Sequence, residues 1–259
     1  MTAKTKVVSI EEKIPGLKEY KDKVRRRKLF GLLGVFGLLI VIVVFLISPL
    51  SRLQSIEVVN NSRLTTAQVM ALTGVEKDVS IFGIHSSAIE KKITDSRLIE
   101  KAELTRRGIN TYRLTIKEMQ PVAYMPKTNG YIPLLSSGLL DEQNVSKYPI
   151  GNEPLIIGFD NNKQLLNELA KQLTKTPAEL RNTMSEIVYK PTKINKNRLN
   201  INMNDGFQVV IGLANFSTSI KTYPSIVGQV TDGSTGIIDL EVGAFYQSYY
   251  NQGRKNKAK

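Results

Sequence analysis

The sequence predicts an α+β protein: a single transmembrane helix, then a small β-α-α-β-β domain, then a mixed α/β domain that ends in an edge strand. Three observations predict this architecture. A long apolar run without any charge lies near the N-terminus. Strand, helix, helix, strand and strand patterns then follow one another up to Lys117. Beyond Pro121, short apolar segments alternate with helical patterns and turn signals.

The apolar run Leu29–Ile47 contains nineteen residues with no charge and no proline. A helix rising about 1.5 Å per residue would let it cross a hydrocarbon core about 30 Å thick. The preceding segment Lys18–Lys28 carries seven Lys or Arg, whereas only Arg52 and Arg63 follow closely. This asymmetry predicts a cytoplasmic N-terminus and an extracellular C-terminal part. A cleaved signal peptide would have a shorter apolar region with a small-residue cleavage site, and a buried core helix would carry polar residues.

The net charge of +13 is concentrated at the two ends of the chain. Residues 1–28 hold ten basic and four acidic side chains, and four more basic side chains follow Tyr250. We expect the first 17 residues to be disordered. The remaining chain is nearly balanced, so it offers no basic face for nucleic acid, and we predict no nucleic-acid partner. The absence of cysteine excludes disulfides and thiolate chemistry, and it favours a bacterium with a single membrane.

The residues after the apolar run show the pattern of a small sheet covered by two helices. Ser55–Asn60 alternates like a half-buried strand. Two capping boxes, Thr65 with Gln68 and Ser87 with Glu90, predict the starts of two helices. A hairpin follows, and its second strand alternates between a buried and a solvated face. The side chains that we expect to be buried are Tyr112, Leu114 and Ile116.

Three prolines between residues 121 and 133 mark a shift in composition, so we place a domain boundary near Glu118–Pro121. The predicted strands beyond it are Tyr131–Leu135, Pro154–Gly158, Ser185–Tyr189, Arg198–Met203, Phe207–Ile211 and Gly236–Val242. Predicted helices begin at the caps Asn161 and Thr176 and at Asn215, the last one kinking or ending near Tyr223. The predicted parts are a basic cytoplasmic tail at 1–28, the transmembrane helix at 29–50, a first outer domain at 51–120, a second at 121–250 and a basic tail at 251–259.

No set of residues suited to catalysis is apparent in the sequence. His85 is the only histidine, which excludes a histidine metal pair, and its place beside a predicted helix start indicates a loop residue and not a member of a Ser-His triad. The carboxylate pairs Asp141–Glu142 and Asp239/Glu241 could in principle serve glycoside hydrolysis. A solvated or salt-bridged position explains both pairs more simply. We therefore predict no enzyme, no catalytic or metal-binding residue and no cofactor.

The last predicted strand offers a surface for protein partners. A strand at the edge of a sheet presents unpaired backbone groups that another chain can complete. We expect Ile237–Val242 to be that strand, because no obvious further strand follows it. The aromatic side chains beyond it are typical interface anchors, although packing onto their own domain fits equally well. They are Phe245, Tyr246, Tyr249 and Tyr250.

Several segments together resemble the FtsQ/DivIB family of bacterial cell-division proteins. The anchor, the helix pair and the segments Ile56–Asn61 and Leu114–Pro121 resemble a POTRA domain. The later segments that resemble the family's β domain are Leu134–Asp141, Met203–Gly206, Tyr223–Ile226 and Gly236–Gly243. The resemblance covers nearly the whole chain from Lys18 to Tyr250, and it depends on the order and spacing of these segments.

The resemblance implies a non-enzymatic, single-pass membrane protein of the division septum, held in the membrane by Leu29–Ile47. It implies partners similar to FtsL and to DivIC, the FtsB counterpart, and an indirect link to the septal wall synthase. In the family, the last β-domain strands bind partners and the POTRA part is tied to recruitment. Carried onto this chain, the partner-binding residues are Ile237, Ile238, Asp239, Leu240, Glu241, Val242, Phe245 and Tyr246. Asp239 and Glu241 would then face polar groups on the partner.

Two other functions stay open at this point. An extracytoplasmic protein that binds the wall or processes its glycan would depend on Asp239 or Glu241, as either ligands or acids. A chaperone for exported chains rests on analogy with other POTRA domains alone.

Overall fold

The computed structural model describes residues 15–76, 78–160, 162–230 and 234–249 of the 259-residue chain. Its described residues form two compact units. The first comprises the described parts of Met1–Glu57, Glu76–His85 and Arg106–Tyr112. The second comprises Val58–Val75, Ser86–Thr105 and the described part of Arg113–Lys259. Because this division cuts through the small sheet, the domain boundaries expected from the sequence stay a prediction.

The N-terminal helix α1 spans Pro15–Ile47. Its part Tyr20–Ile47 is long and apolar enough to cross a membrane, and its most apolar stretch is not buried within the protein. The helix begins before the apolar run, so residues 15–17 are helical rather than disordered, while residues 1–14 lie outside the described part. The basic segment continues the helix because Lys, Arg and Glu are good helix formers and extending an existing helix needs no new nucleus.

The predicted β-α-α-β-β order of the small domain is confirmed. Its elements are β1 (Ser55–Val59), α2 (Thr66–Thr73), α3 (Ser86–Asp95), β2 (Ile99–Arg106) and β3 (Thr111–Glu118). The three strands lie in the order β1-β3-β2, so β3 is central. The β3 residues Tyr112, Leu114 and Ile116 are buried as predicted. Val69 of α2 and Ile93 of α3 are buried as well, consistent with one covered face.

One of the two predicted capping boxes is confirmed and the other is wrong. Thr65 and Gln68 form a complete box at the start of α2. Ser87 lies inside α3, which begins one residue earlier, so it does not cap the helix. The Glu90 carboxylate instead accepts a hydrogen bond of 2.7 Å from the backbone amide of Leu104 in β2. A contact with a strand distant in sequence therefore replaces the local cap.

Glu118, at the end of β3, is a buried carboxylate that holds the loop before α2. It accepts hydrogen bonds of 2.9 to 3.2 Å from the backbone amides of Ser62, Arg63 and Leu64. The Ser62 hydroxyl donates a weaker one at 3.4 Å. The same alternation that buries Tyr112, Leu114 and Ile116 brings residue 118 to the buried face, which is a signal that sequence reasoning missed.

Arg63, in the loop that Glu118 holds, contacts a residue beyond the small sheet. Its Nε lies 3.7 Å from a carboxylate oxygen of Asp141, which is buried. Asp141 also accepts hydrogen bonds of 3.1 and 2.9 Å from the Asn144 side chain. Of the two alternatives expected for Asp141, a solvated or a salt-bridged position, the structure therefore shows the salt-bridged one.

Among the described residues, the second, larger sheet has eight strands in the order β11-β10-β9-β8-β7-β6-β4-β5. They are β4 (Pro121–Lys127), β5 (Gly130–Leu135), β6 (Leu155–Ile157), β7 (Met184–Tyr189), β8 (Arg198–Met203), β9 (Gln208–Gly212), β10 (Gly236–Asp239) and β11 (Phe245–Ser248). The helices are α4 (Lys163–Lys175), α5 (Ala178–Arg181), α6 (Phe216–Ser219) and α7 (Tyr223–Val227). Leu166, Leu169 and Leu173 of α4 are fully enclosed in one apolar core with residues of the sheet.

Strand β4 was not predicted, because its prolines favoured a boundary. Pro121 and Pro126 are both accommodated in it. On the side that faces β6, β4 has a single paired residue, Tyr124, which lies opposite Leu155. Neither proline therefore needs to donate a backbone hydrogen bond to β6.

The caps of the helices that follow also differ from expectation. Asn162 caps α4 through a hydrogen bond of 3.1 Å from the Leu165 amide, while Asn161 lies outside the described residues. Thr176 does not cap α5. It ends α4, and its buried hydroxyl donates to the Gln172 carbonyl oxygen at 2.9 Å. The chain after Asn215 remains helical in short pieces. Pro224 lies in the first turn of α7, where a backbone N–H would have no acceptor within the helix, so proline breaks no hydrogen bond there.

Candidate partner-binding edge

The predicted edge strand is not at the edge. Strand β10 lies between β9, with which it runs parallel, and β11, with which it pairs antiparallel. The edge is therefore β11, whose aromatic residues were expected either as interface anchors or as packing on their own domain, but not as a strand. The overlooked signal was the alternation in Phe245–Ser248, where Tyr246 is half-buried and Ser248 is buried between exposed neighbours.

The residues proposed from the family resemblance fall into three environments. Ile238 and Leu240 are buried in the core of the large sheet, and Ile237 is half-buried. Val242 is 97% exposed and Phe245 is 69% exposed. Strand β10 ends at Asp239, so residues 240–242 form the turn into β11 and do not extend the strand as predicted.

The two acidic side chains of this region are held by their own domain. Glu241 accepts a hydrogen bond of 2.6 Å from the Asn195 side chain and lies 3.7 Å from the Arg198 Nε. Asp239 accepts a hydrogen bond of 2.9 Å from the Glu241 backbone amide. These contacts stabilise the turn between β10 and β11. They also leave the pair poorly placed to act together on a glycan, because each carboxylate already serves a structural partner.

An aromatic cluster of Tyr246, Phe207 and Tyr223 joins the edge strand to the rest of its domain. The ring centroid of Tyr246 lies 6.1 Å from that of Phe207, and Phe207 lies 6.4 Å from Tyr223 in an edge-on arrangement. The Tyr246 hydroxyl also contacts the side-chain oxygen of Ser234 at 2.7 Å. Tyr246 therefore packs onto its own domain, whereas Phe245 points outward.

Gly236 lies where β10 and β11 approach closely. A Cβ at this position would collide with the carbonyl oxygen of Gln247 and lie 2.8 Å from the Cα of Ser248. The glycine is therefore required by the space between the two strands. The edge strand depends on this close approach for its position.

The two ends of the large sheet differ in how they are covered. At one end, bridges from Tyr131 to Ser146 and from Leu134 to Leu140 cover the outer side of β5. At the other end, no strand in the described part of the chain pairs with the outer side of β11. The terminal place of β11 in the described sheet and the exposed ring of Phe245 together make β11 the best candidate for strand addition by a partner.

The described residues hold no group of three or more side chains suited to binding a metal ion. His85 lies in the loop before α3, as expected, with its Nδ1 3.0 Å from the carbonyl oxygen of Gly83. This contact orients the ring locally and brings no second functional group to it.

Removing the Tyr223 hydroxyl should weaken the support of the edge strand. This hydroxyl donates to both carboxylate oxygens of Asp205, at 2.7 and 2.6 Å. Asp205 is exposed, so we expect Tyr223→Phe to cost about 1 kcal/mol in the free energy of unfolding at neutral pH. Thermal unfolding of the full chain in detergent would measure the loss. Tyr189→Phe is the matched control, because it removes a hydrogen bond to a neutral carbonyl, that of Lys196.

The effect of Tyr223→Phe should also depend on pH. Burial raises the pKa of Tyr223, and the hydrogen bond to the Asp205 carboxylate raises it further. The folded protein therefore keeps this phenol protonated, whereas the unfolded chain ionises it near about pH 10. Its stabilising contribution is present below that pH and is lost as the pH rises above it. A difference between variant and wild type that stays constant into the alkaline range would contradict this assignment.

Two known protein domains match separate parts of this chain. A POTRA domain of the FtsQ type matches residues 51–119, and the C-terminal domain of the cell division proteins FtsQ/DivIB matches residues 123–241. The cell division protein DivIB of Listeria monocytogenes is 36% identical over 258 residues, which cover 100% of this chain and 95% of that protein. The chain belongs to the FtsQ/DivIB family. The DivIB protein of Bacillus subtilis is 31% identical over 254 residues, covering 98% of this chain and 94% of the relative.

A solved structure of a family member is also similar to part of this chain. It is the major extracytoplasmic domain of the trans isomer of DivIB from Geobacillus stearothermophilus, 30% identical, with a TM-score of 0.40. The match covers 45% of this chain and 97% of that domain. Membership of the FtsQ/DivIB family rests on the sequence matches, which confirm the resemblance and the POTRA-containing fold class expected from the sequence.

Proposed function

We propose that this chain is a single-pass membrane protein of the bacterial division machinery and acts as a non-catalytic scaffold. Family membership supports a role in cell division. The observation that carries the binding mechanism is the geometry of β11, an edge strand with Phe245 exposed. Its backbone can extend a sheet formed with a partner strand, and its outward side chains can select that partner.

The proposed topology has the N-terminus in the cytoplasm, the membrane crossed by α1, and the predicted domains 51–120 and 121–250 outside the cell. The basic segment Lys18–Lys28 before the apolar run supports this orientation. The expected location is the division septum. A fluorescent fusion of the full chain should therefore form a band at midcell, and an even signal around the cell outline would contradict the proposal.

The proposed partners are FtsL-like and DivIC-like membrane proteins of the same cell, with the septal wall synthase connected through them. Of the residues carried over from the family, Val242 and Phe245 are the ones that we expect to touch a partner directly, because they are largely exposed. Ile238, Leu240 and Tyr246 would act indirectly by holding β10 and β11 in place. Glu241 would do so through its contacts with Asn195 and Arg198.

Introducing a charge at Phe245 tests the partner-binding role. Phe245→Asp should weaken binding of the co-expressed FtsL-like and DivIC-like proteins by about tenfold or more, because an aromatic anchor is replaced by a group that must be desolvated. Affinity purification of the full chain from detergent-solubilised membranes would measure this. Tyr148→Asp is the matched control, since Tyr148 is an aromatic residue 67% exposed in the loop after β5, which lies at the opposite end of the strand order from β11. If both variants retain wild-type binding, the proposed edge does not bind these partners.

A further inference from the structure

The folded part of the first unit begins immediately after the membrane helix. Helix α1 ends at Ile47, and a 3₁₀ turn at Pro49–Ser51 follows. The Ser51 hydroxyl donates to the carbonyl oxygens of Leu46 and Ser48 at 2.7 and 2.9 Å. These hydrogen bonds satisfy carbonyl groups at the helix end and leave no flexible spacer there. The position of the following residues is therefore linked closely to the helix.

Two loops of the small sheet are attached to this short connection. The Leu53 amide donates to the carbonyl oxygen of Val79 at 2.8 Å, and the Gln54 amide donates to that of Asn110 at 2.9 Å. Arg52 also forms an antiparallel bridge with Ser80. The loops at 78–85 and 106–112 thus lie next to the end of α1, and all these segments belong to the same compact unit.

Phe82 lies level with the last turn of the membrane helix. Its ring centroid is 6.3 Å from that of Phe45, in an edge-on arrangement. Phe45 precedes the helix end by two residues, which corresponds to about 3 Å along the axis. Phe82 is nevertheless 60% exposed, because one contact with Phe45 leaves most of its ring uncovered.

The second loop presents another apolar side chain beside basic ones. Ile109 is 56% exposed at the tip of the turn between β2 and β3. The Arg106 guanidinium holds this turn, since it donates to the carbonyl oxygen of Gly108 at 2.9 Å and also to that of Ile109. Arg107, next to it, is exposed. The 78–85 loop contributes an acidic residue, Asp78, so the basic character is local to the 106–107 turn.

We propose that Phe82, Ile109 and Arg107 form a lipid-docking face, on which anionic lipid headgroups bind. This inference rests on the proposed crossing of the membrane by α1. The helix places Phe82 at the boundary between hydrocarbon and headgroups, where aromatic side chains are favoured. Ile109 enters the same zone, and the Arg107 guanidinium binds lipid phosphate. Lipid is the occupant because the face continues the surface of a helix that is itself surrounded by lipid.

Single tryptophan substitutions test this face without background, because the chain contains no tryptophan. Full-length Phe82→Trp and Ile109→Trp proteins would be reconstituted into phosphatidylcholine vesicles containing phosphatidylglycerol and brominated lipid, which quenches fluorescence on contact. Phe36→Trp, inside the apolar run, reports on the helix. Ile194→Trp is the control for an exposed apolar position outside this unit. Circular dichroism would establish that each variant is folded, and the two loop positions are independent tests.

We expect both loop tryptophans to be quenched by brominated lipid about threefold more than Ile194→Trp. Quenching at Phe36→Trp with none above control at either loop position would overturn the lipid-docking face and leave the anchor intact. No quenching at Phe36→Trp would instead overturn the proposed membrane crossing, and with it this inference.

A charge reversal tests the headgroup contact separately. Adding Arg107→Glu to Phe82→Trp should reduce quenching in phosphatidylglycerol vesicles by about twofold and have little effect in neutral vesicles. Equal quenching in both kinds of vesicle, with and without the reversal, would overturn the binding of anionic headgroups.

Discussion

Replacing Gly236 with alanine is expected to weaken partner binding through β11 severely. The added methyl group would collide with the backbone of Gln247 and Ser248, and backbone atoms cannot move aside as a flexible side chain can. The edge strand must therefore shift or detach from β10. We expect a loss of about 1–3 kcal/mol in the free energy of unfolding, which is typical of overpacking. We expect partner affinity to fall by about a hundredfold, equivalent to about 2.7 kcal/mol.

Gly212→Ala is the matched control for this experiment. Gly212 ends the neighbouring strand β9, and a Cβ there would make an ordinary contact of 3.5 Å with the Asn195 side chain. Both variants would be compared by thermal unfolding and by co-purification with the FtsL-like and DivIC-like proteins. Wild-type binding by Gly236→Ala would show that the position of β11 is irrelevant to the interface. A stability loss without a binding loss would lead to the same conclusion.

Replacing Glu118 with glutamine is expected to destabilise the small sheet strongly. The carboxylate accepts three backbone amide hydrogen bonds and one hydroxyl hydrogen bond in a buried position. Glutamine keeps one acceptor oxygen and adds an NH₂ group, which would face donors. Buried donors would then lack acceptors, so we expect a loss of about 2–4 kcal/mol in the free energy of unfolding.

Glu100→Gln provides the control for the loss of a carboxylate. Glu100 pairs with Lys117 at 2.9 Å on an exposed part of the same sheet, and such pairs contribute about 0–1 kcal/mol. Urea unfolding of the full chain in detergent would measure both losses. Hydrogen exchange would show whether the amides of Ser62, Arg63 and Leu64 lose protection selectively in Glu118→Gln. Similar losses in the two variants would mean that the buried carboxylate has no special structural role.

The elements that sequence reasoning predicted well are those whose pattern is local. Strand β3 alternates regularly, so its buried residues could be assigned from periodicity alone. The box at Thr65 and Gln68 was predictable for the same reason, because both of its hydrogen bonds join residues three positions apart. Ser87 and Glu90 have the same spacing, but the Glu90 carboxylate is engaged by Leu104 across the fold. Residue spacing does not reveal a competition with a distant backbone donor.

The candidate site was predicted only in its approximate location. The sequence indicated the last part of the large sheet, but it assigned the edge to β10 and overlooked β11. Short strands such as Phe245–Ser248 offer few residues for a periodic pattern, and aromatic residues fit both an interface and a strand. The internal contacts of Glu241 depend on Asn195 and Arg198, more than forty residues earlier, so they could not be deduced from the local sequence.

The short pairing between β4 and β6 in the large sheet has a mechanical consequence. Strand β6 has three residues and is registered with β4 through one pair, whereas β7 and β8 share five pairs. Tension applied between β4 and β11 would have to pass across β6. Helix α4 spans this weak seam, because its leucines share a core with Val122 of β4 and Ile187 of β7. A load pulling β4 and β11 apart would thus be resisted at this seam mainly by side-chain packing.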